Sequence, residues 1–185
     1  MQISKKFKDL GDVVELKKGW VGRYYEDFEI GDWYQHPIGR TITETDNIWF
    51  TLLTCNTNQM HFNSDYAEKS SFKQPLVNSG LTIAMVLGMS VTDVSQQAIA
   101  NLGMDEVRLT HPVFVGDTIY AESIVVDLRE SASRKGAGIV RVRTRGLNQK
   151  GVVFLSWRRD ILVYKRGFNH DVSSFPESSE SWPEN

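Results

Sequence analysis

The stretch SGLTIAMVLGMSVTDVS, residues 79–95, constrains the fold of this chain more than any other. Leu81, Ile83, Ala84, Met85, Val86, Leu87, Met89 and Val91 cover almost the whole circumference of a helix. A helix that is apolar nearly all round is expected to be buried nearly all round. Ser79 stands where it can cap the first turn. After this helix the period changes. Residues 119–128, 139–147 and 152–163 are rich in β-branched side chains that alternate with charge, the pattern of half-buried strands. The segments SASRKGAG and 148–151 separate them as hairpin loops. A further strand is expected within 99–109.

Upstream, residues 32–43 read as extended after a Gly31-Asp32 turn. Residues 46–54 read as a helix with Asp46 as N-cap. A polar loop, CNTNQMHFNSD, follows, then a short helix around 65–72 and Pro75. One early strand, a central helix and four antiparallel strands make an α+β chain of the hotdog arrangement, a sheet of about five strands around one buried helix. So thin a shell leaves an open sheet edge, which a second copy commonly covers, so a homodimer or higher homo-oligomer is expected. Residues 25–167 are taken as the single hotdog domain. Residues 1–24 are taken as an N-terminal arm, and the Ser-rich, acidic residues 168–185 as a disordered tail.

The 185 residues are 41 % hydrophobic and 24 % charged, enough to build a core. The formal net charge of -2 argues against a nucleic-acid surface, which shows as a basic excess. A lone thiol, Cys55, cannot staple a fold, and nothing points to an oxidising compartment. The N-terminus has no apolar run long enough for a signal-peptide core, and Leu81–Val91 is too short to span a bilayer. The expectation is a soluble cytoplasmic protein with no membrane partner. No Cys/His cluster has metal-ligand spacing and no phosphate-binding glycine loop is present.

The loop Thr54–His61 holds several polar side chains and one histidine just before the buried helix. Histidine suits acid–base work at neutral pH, with an unperturbed pKa of about 6.5. Read alone, the loop is as compatible with Asn and Thr residues that merely cap and turn. The segment PLVNSG, residues 75–80, leads into the central helix, whose first N–H groups lack intrahelical acceptors and face positive dipole potential. Such an end can hold a thioester oxygen that gains enolate charge, or can simply be capped. The segment 111–118 reads as a turn into a strand. Arg141, Arg143 and Arg145 read as a solvated sheet face paired with Glu122, Asp127 or Glu130. His36 and His170 carry no catalytic assignment.

The loop resembles the signature of MaoC-like dehydratases and R-specific enoyl-CoA hydratases, roughly Ser/Thr-Gly-Asp-x-Asn-Pro-Leu/Ile-His with a Tyr/Phe-Ala pair downstream. Thr54, Asn58, His61 and Tyr66-Ala67 match it, with Met60 in the aliphatic position. Phe72, Pro75-Leu76, Pro112-Val113 and Gly116-Asp117-Thr118-Ile119 fit later elements of the same family. The resemblance covers roughly residues 25–165. It departs at Asn56, where the family has its catalytic Asp, at Cys55 for Gly, at Gln59 for Pro, and at Asn78-Ser79 for His-Gly. These departures are more similar to the mesaconyl-CoA or itaconyl-CoA hydratase-like branch, which implies a short, branched, dicarboxylic acyl thioester.

The resemblance implies a hydro-lyase acting on an enoyl-CoA, with no cofactor and with CoA present only as part of the substrate. It implies His61 as base and acid, Asn56 orienting water through its amide, Asn58 holding the loop or the water, and the Ser79 N–H as oxyanion donor. Gly80, Asn78, Lys69 and Lys73 are expected at the substrate, with Arg134 and Lys135 completing a basic rim for CoA phosphates. Two alternatives stand beside it. An acyl-CoA thioesterase on the same fold places a carboxylate on the central helix, where this chain has only Asp93 near the far end. A non-catalytic acyl-thioester binder would have lost the family's Asp.

Overall fold

The structure, a computed structural model, describes residues 4–6, 13–15, 17, 19–169, 176 and 178–180. Most of the expected tail, and much of the expected arm, lie outside the described residues. In chain order the elements begin with an antiparallel pair, β1 (Ser4–Lys6) and β2 (Val13–Glu15). Then come β3 (Trp33–Gln35), β4 (Arg40–Thr41), and helices α1 (Glu44–Leu53), α2 (Ser64–Glu68) and α3 (Ser79–Met89). The long strands β5 (Ala98–Leu109), β6 (Thr118–Glu130), β7 (Ala137–Asn148) and β8 (Val153–Tyr164) follow.

The long strands fall where the alternation of apolar and charged residues puts them. They form an antiparallel sheet in the order β3-β6-β7-β8-β5, with β4 also on β6. The sheet has six strands rather than five, because the early extended segment is broken into β3 and β4 around His36-Pro37. Proline has no N–H to give to a ladder, so pairing stops there. Two helix caps also differ from expectation. Thr43, not Asp46, caps α1. Its hydroxyl accepts from the Asp46 N–H while the Asp46 carboxylate accepts from the Thr43 N–H, a capping box. Asn78, not Ser79, caps α3, its side-chain oxygen accepting from the Gly80 N–H at 2.9 Å.

The sheet curls over α3. Val86 of α3 is fully buried with Ile119, Ala121, Phe154, Leu155 and Trp157. Burying each large apolar side chain contributes about 1.5–3 kcal/mol. A second cluster, with Phe28, Val125, Val140, Val142 and Ile161, fills the other end of the sheet. At Gly146 a Cβ would come within 2.7 Å of the Phe154 ring and 2.8 Å of Val86, so the missing side chain lets helix and sheet close together. The outer sheet face carries the arginine row. Arg141 pairs with Asp160, with Asp127 farther off at 3.9 Å, and Arg145 with Glu122. Arg143 instead takes Glu106, and Glu130 takes Lys165.

The expectation of a helix buried all round needs correction. Leu81, Thr82 and Val86 are buried, but Ser79, Ala84, Gly88 and Val91 are exposed. A single sheet covers only one side of a helix; α1 meets the start of α3 through Phe50 beside Gly80, and among the described residues the side bearing Ala84 and Gly88 stays open. The edge strand β5 is open as well, with residues 100–106 exposed along it, Leu102 and Met104 among them.

Candidate active site

Three segments meet at the start of α3. The first is the loop after α1. Cys55 adopts a left-handed backbone (φ 57°) that turns the chain back, and the Asn56 N–H then donates to the Thr51 carbonyl at 3.0 Å. The Asn56 side-chain oxygen accepts from the Asn58 N–H at 2.9 Å. The Asn58 side-chain oxygen accepts from the Met60 N–H at 3.1 Å and caps the 3-10 turn Gln59–His61. Asn58 thus holds the loop. Asn56 spends its oxygen on the loop too, which leaves its NH2 group for other contacts.

The second segment is 75–78. The Val77 N–H donates to the Val113 carbonyl at 2.9 Å, and Leu76 bridges Phe114, so the segment 111–118, which leads into β6, buttresses residues 75–78. The third is α1 itself, which turns Asn47 and Thr51 inward and leaves Trp49, Leu52 and Leu53 exposed.

His61 is half-buried, and its Nδ1 lies 3.0 Å from the Leu76 carbonyl oxygen. A carbonyl can only accept, so Nδ1 carries the proton and Nε2 keeps the lone pair. His61 lines a cleft of about 230 Å³ with Glu44, Asn47, Ser64, Gln74 and Val115. Glu44 is the one carboxylate on that lining and was not singled out in the sequence. Its place, one residue into α1, gave no signal beyond a favourable helix-start charge.

The Ser79 N–H opens α3 with no acceptor inside the helix. The two residues beside it, Asn78 and Gly80, are tied to each other and to α1. The Gly80 N–H is taken by Asn78. Asn78 is buried, with its NH2 donating to Thr51 Oγ1 at 3.1 Å and its own N–H to Asn47 Oδ1 at 2.8 Å. Its polar groups shape the start of α3.

Lys69 is exposed and pairs with Asp65, and Lys73 is exposed with φ 61°. Neither lines the cleft. Lys73 adjoins Phe72, which packs on the Phe114 ring, and Lys69 follows α2, whereas Arg134 and Lys135 sit at the β6–β7 hairpin. The thirteen residues of β6 separate the two groups by roughly 40 Å, so within one chain they do not form a single rim.

A second polar cluster lies inside the sheet, where sequence reasoning left His36 unassigned. His36 Nδ1 meets Asp93 at 2.8 Å and Nε2 meets Ser123 Oγ at 2.9 Å, with Thr144 Oγ1 2.8 Å further on. Burial lowers the His36 pKa more than Asp93 raises it. Arg23 also pairs with Asp93, at 3.1 Å, so the central-helix carboxylate that a thioesterase reading would use is committed to Arg23 and His36. Nearby, Arg159 is buried, which lowers its pKa to about 10, and its NH2 group donates to Ser90. A larger open groove of about 780 Å³ lies on the outer sheet face beside Trp33, Arg143 and Arg145. It contains none of the expected site residues, and both arginines are paired there. Among the described residues no group of three or more His, Cys, Asp or Glu is arranged to hold a metal. Among them, no helix is long and apolar enough to cross a membrane.

Comparison with known proteins gives a consistent result. The family profile described as mesaconyl-CoA hydratase matches residues 4–178. The chain is 37 % identical over 146 residues to a mesaconyl-CoA hydratase of Cereibacter sphaeroides, covering 79 % of this chain and 42 % of that protein. It thus spans less than half the length of that relative. A solved MaoC domain dehydratase from Chloroflexus aurantiacus is 32 % identical, with a TM-score of 0.77 over 91 % of this chain and 46 % of the other. A Mycobacterium tuberculosis protein with a double hotdog fold is 22 % identical, with a TM-score of 0.73 over 80 % of this chain and 46 % of its own. That likeness concerns the fold alone.

Proposed function

The chain belongs to the mesaconyl-CoA hydratase family of MaoC-like dehydratases, and on that premise we propose that it adds water to, or removes water from, a short branched enoyl-CoA. The observation that carries this reading is the 3.0 Å contact between His61 Nδ1 and the Leu76 carbonyl oxygen, which calls for the proton on Nδ1 and leaves the Nε2 lone pair of the neutral ring free. In hydration, Nε2 takes a proton as the water oxygen bonds to Cβ. The electron pair of the double bond moves toward the thioester oxygen, where the Ser79 N–H at the positive end of α3 receives the enolate charge. The Nε2–H then protonates Cα, so that H and OH have been added across the bond. The NH2 of Asn56 is assigned to orient the water. No cofactor is assigned, because the steps are proton transfers and CoA enters only as part of the substrate. The exposed free thiol of Cys55 fits a reducing, cytoplasmic setting.

The working unit in this reading is a homodimer. The open β5 edge and the exposed Ala84 and Gly88 of α3, continued by Val91 just beyond it, are the surfaces a second hotdog would cover. This chain also matches about one half of a double-hotdog protein. The test follows the conjugated enoyl-thioester absorbance with free thiol measured in parallel. Loss of conjugation without thiol supports the hydratase. Thiol release would favour a thioesterase, and no change on a broad substrate panel would favour a binder.

A further inference from the structure

Asn47 is a polar residue only 1 % exposed, one turn into α1. It has no part in starting the helix, which Thr43 and Asp46 cap. Its NH2 group donates to the His61 carbonyl at 2.8 Å and to the Leu76 carbonyl at 2.9 Å. Its oxygen accepts from the Asn78 N–H at 2.8 Å. Both amide hydrogens and the acceptor oxygen are therefore used, and all three partners are main-chain groups of the site.

Two of these contacts bear directly on the chemistry. Leu76 O is the atom that also accepts from His61 Nδ1, so Asn47 fixes the acceptor that sets the imidazole's tautomer. Asn78 immediately precedes Ser79, whose N–H opens α3. One planar side chain thus ties the histidine loop to the oxyanion end of the helix. Thr51, one turn further along α1, repeats the pattern. Its hydroxyl accepts from the Asn78 side chain and its carbonyl from the Asn56 N–H.

We propose that Asn47 is a positioning residue that sets both the distance between His61 and the Ser79 N–H and the tautomer of His61. The inference rests on the hydratase reading for its kinetic part only. A displacement of about 1 Å between reacting groups is enough to slow an enzyme by about 10²-fold, so a small rigid link has a large kinetic effect.

The test uses Asn47→Asp and Asn47→Leu. Asn47→Asp keeps the size and the acceptor for Asn78 but loses both donors. Asn47→Leu loses all three bonds. The readouts are kcat and KM on an enoyl-CoA and the nitrogen NMR signature of the His61 ring. The wild type is expected to show the Nδ1–H tautomer. Both variants are expected to show mixed tautomers and to lose about 10²-fold in kcat with KM changed far less. A role limited to stability would lower the melting temperature yet leave the His61 signature and the kcat of folded protein unchanged, and that result would overturn the proposal. So would an Nε2–H tautomer in the wild type, a measurement that needs no variant to fold. A wild type without turnover would instead remove the hydratase reading, while the NMR comparison still decides the role of Asn47.

Discussion

His36 Nδ1 lies 2.8 Å from an Asp93 carboxylate oxygen, in a buried polar cluster that also holds Ser123 and Thr144 of the sheet, with Arg159 of β8 and Ser90 at the end of α3 nearby. The ring is buried, and burial holds its pKa below the usual histidine value. The charges nearby are Asp93 and Glu122, which favour protonation, and Arg159, which opposes it. The unfolded chain takes up a proton near pH 6.5 that the folded protein resists. The His36 contribution to stability is therefore complete above about pH 6.5 and is lost as pH falls through the folded pKa. Melting temperature is expected to drop between pH 7 and pH 5. In His36→Gln, which cannot ionise, that slope should flatten. Equal slopes in the two proteins would show that His36 is not the group responsible.

The exposed stripe of α3 and the β5 edge predict a dimer at micromolar concentration by light scattering. A charge in either surface should split it, and Ala84→Glu and Met104→Glu are the variants to use, since both side chains are solvent-exposed in the single chain. A wild type that scatters as a monomer would remove this part of the account.

Asn56→Asp is expected to keep the fold, because the side chains are isosteric and an Asp oxygen can still accept from the Asn58 N–H. It adds a negative charge to the loop that carries His61. A like-placed carboxylate favours the imidazolium, so the pH–rate profile for hydration should shift to higher pH. A profile that does not move would separate Asn56 from the proton chemistry.

Glu44 shares the cleft with His61, but it is exposed at the start of α1, and no hydrogen bond between its side chain and the histidine is seen among the described residues. Glu44→Gln should change kcat by less than about tenfold, below the roughly 10²–10⁴-fold of a general acid–base group. A larger loss would make Glu44 the second acid–base partner that Asn56 cannot be.

Much of this arrangement was legible in the residues. The alternation along β6, β7 and β8 and the apolar run of α3 carry their own periods, and the loop around His61 carries a family pattern. The open face of α3 was not legible, because burial depends on how many layers cover a helix and not on its own composition. The caps were misplaced by a few residues, since Thr43 and Asp46 share one capping box and either reads as the start. Asn47 was missed because its partners lie 14, 29 and 31 residues away and are all main-chain atoms. The available signal was the pair Asn47 and Thr51, two polar residues four apart on one face of a helix.

The central claim is that His61 carries both proton transfers. It is tested by hydration of a panel of short enoyl-CoA substrates, mesaconyl-CoA included, with wild type and His61→Ala compared at equal folded concentration. The account predicts loss of the conjugated absorbance without thiol release by the wild type, and a rate lower by at least about 10²–10⁴-fold in the variant. Equal rates in the two proteins would contradict it.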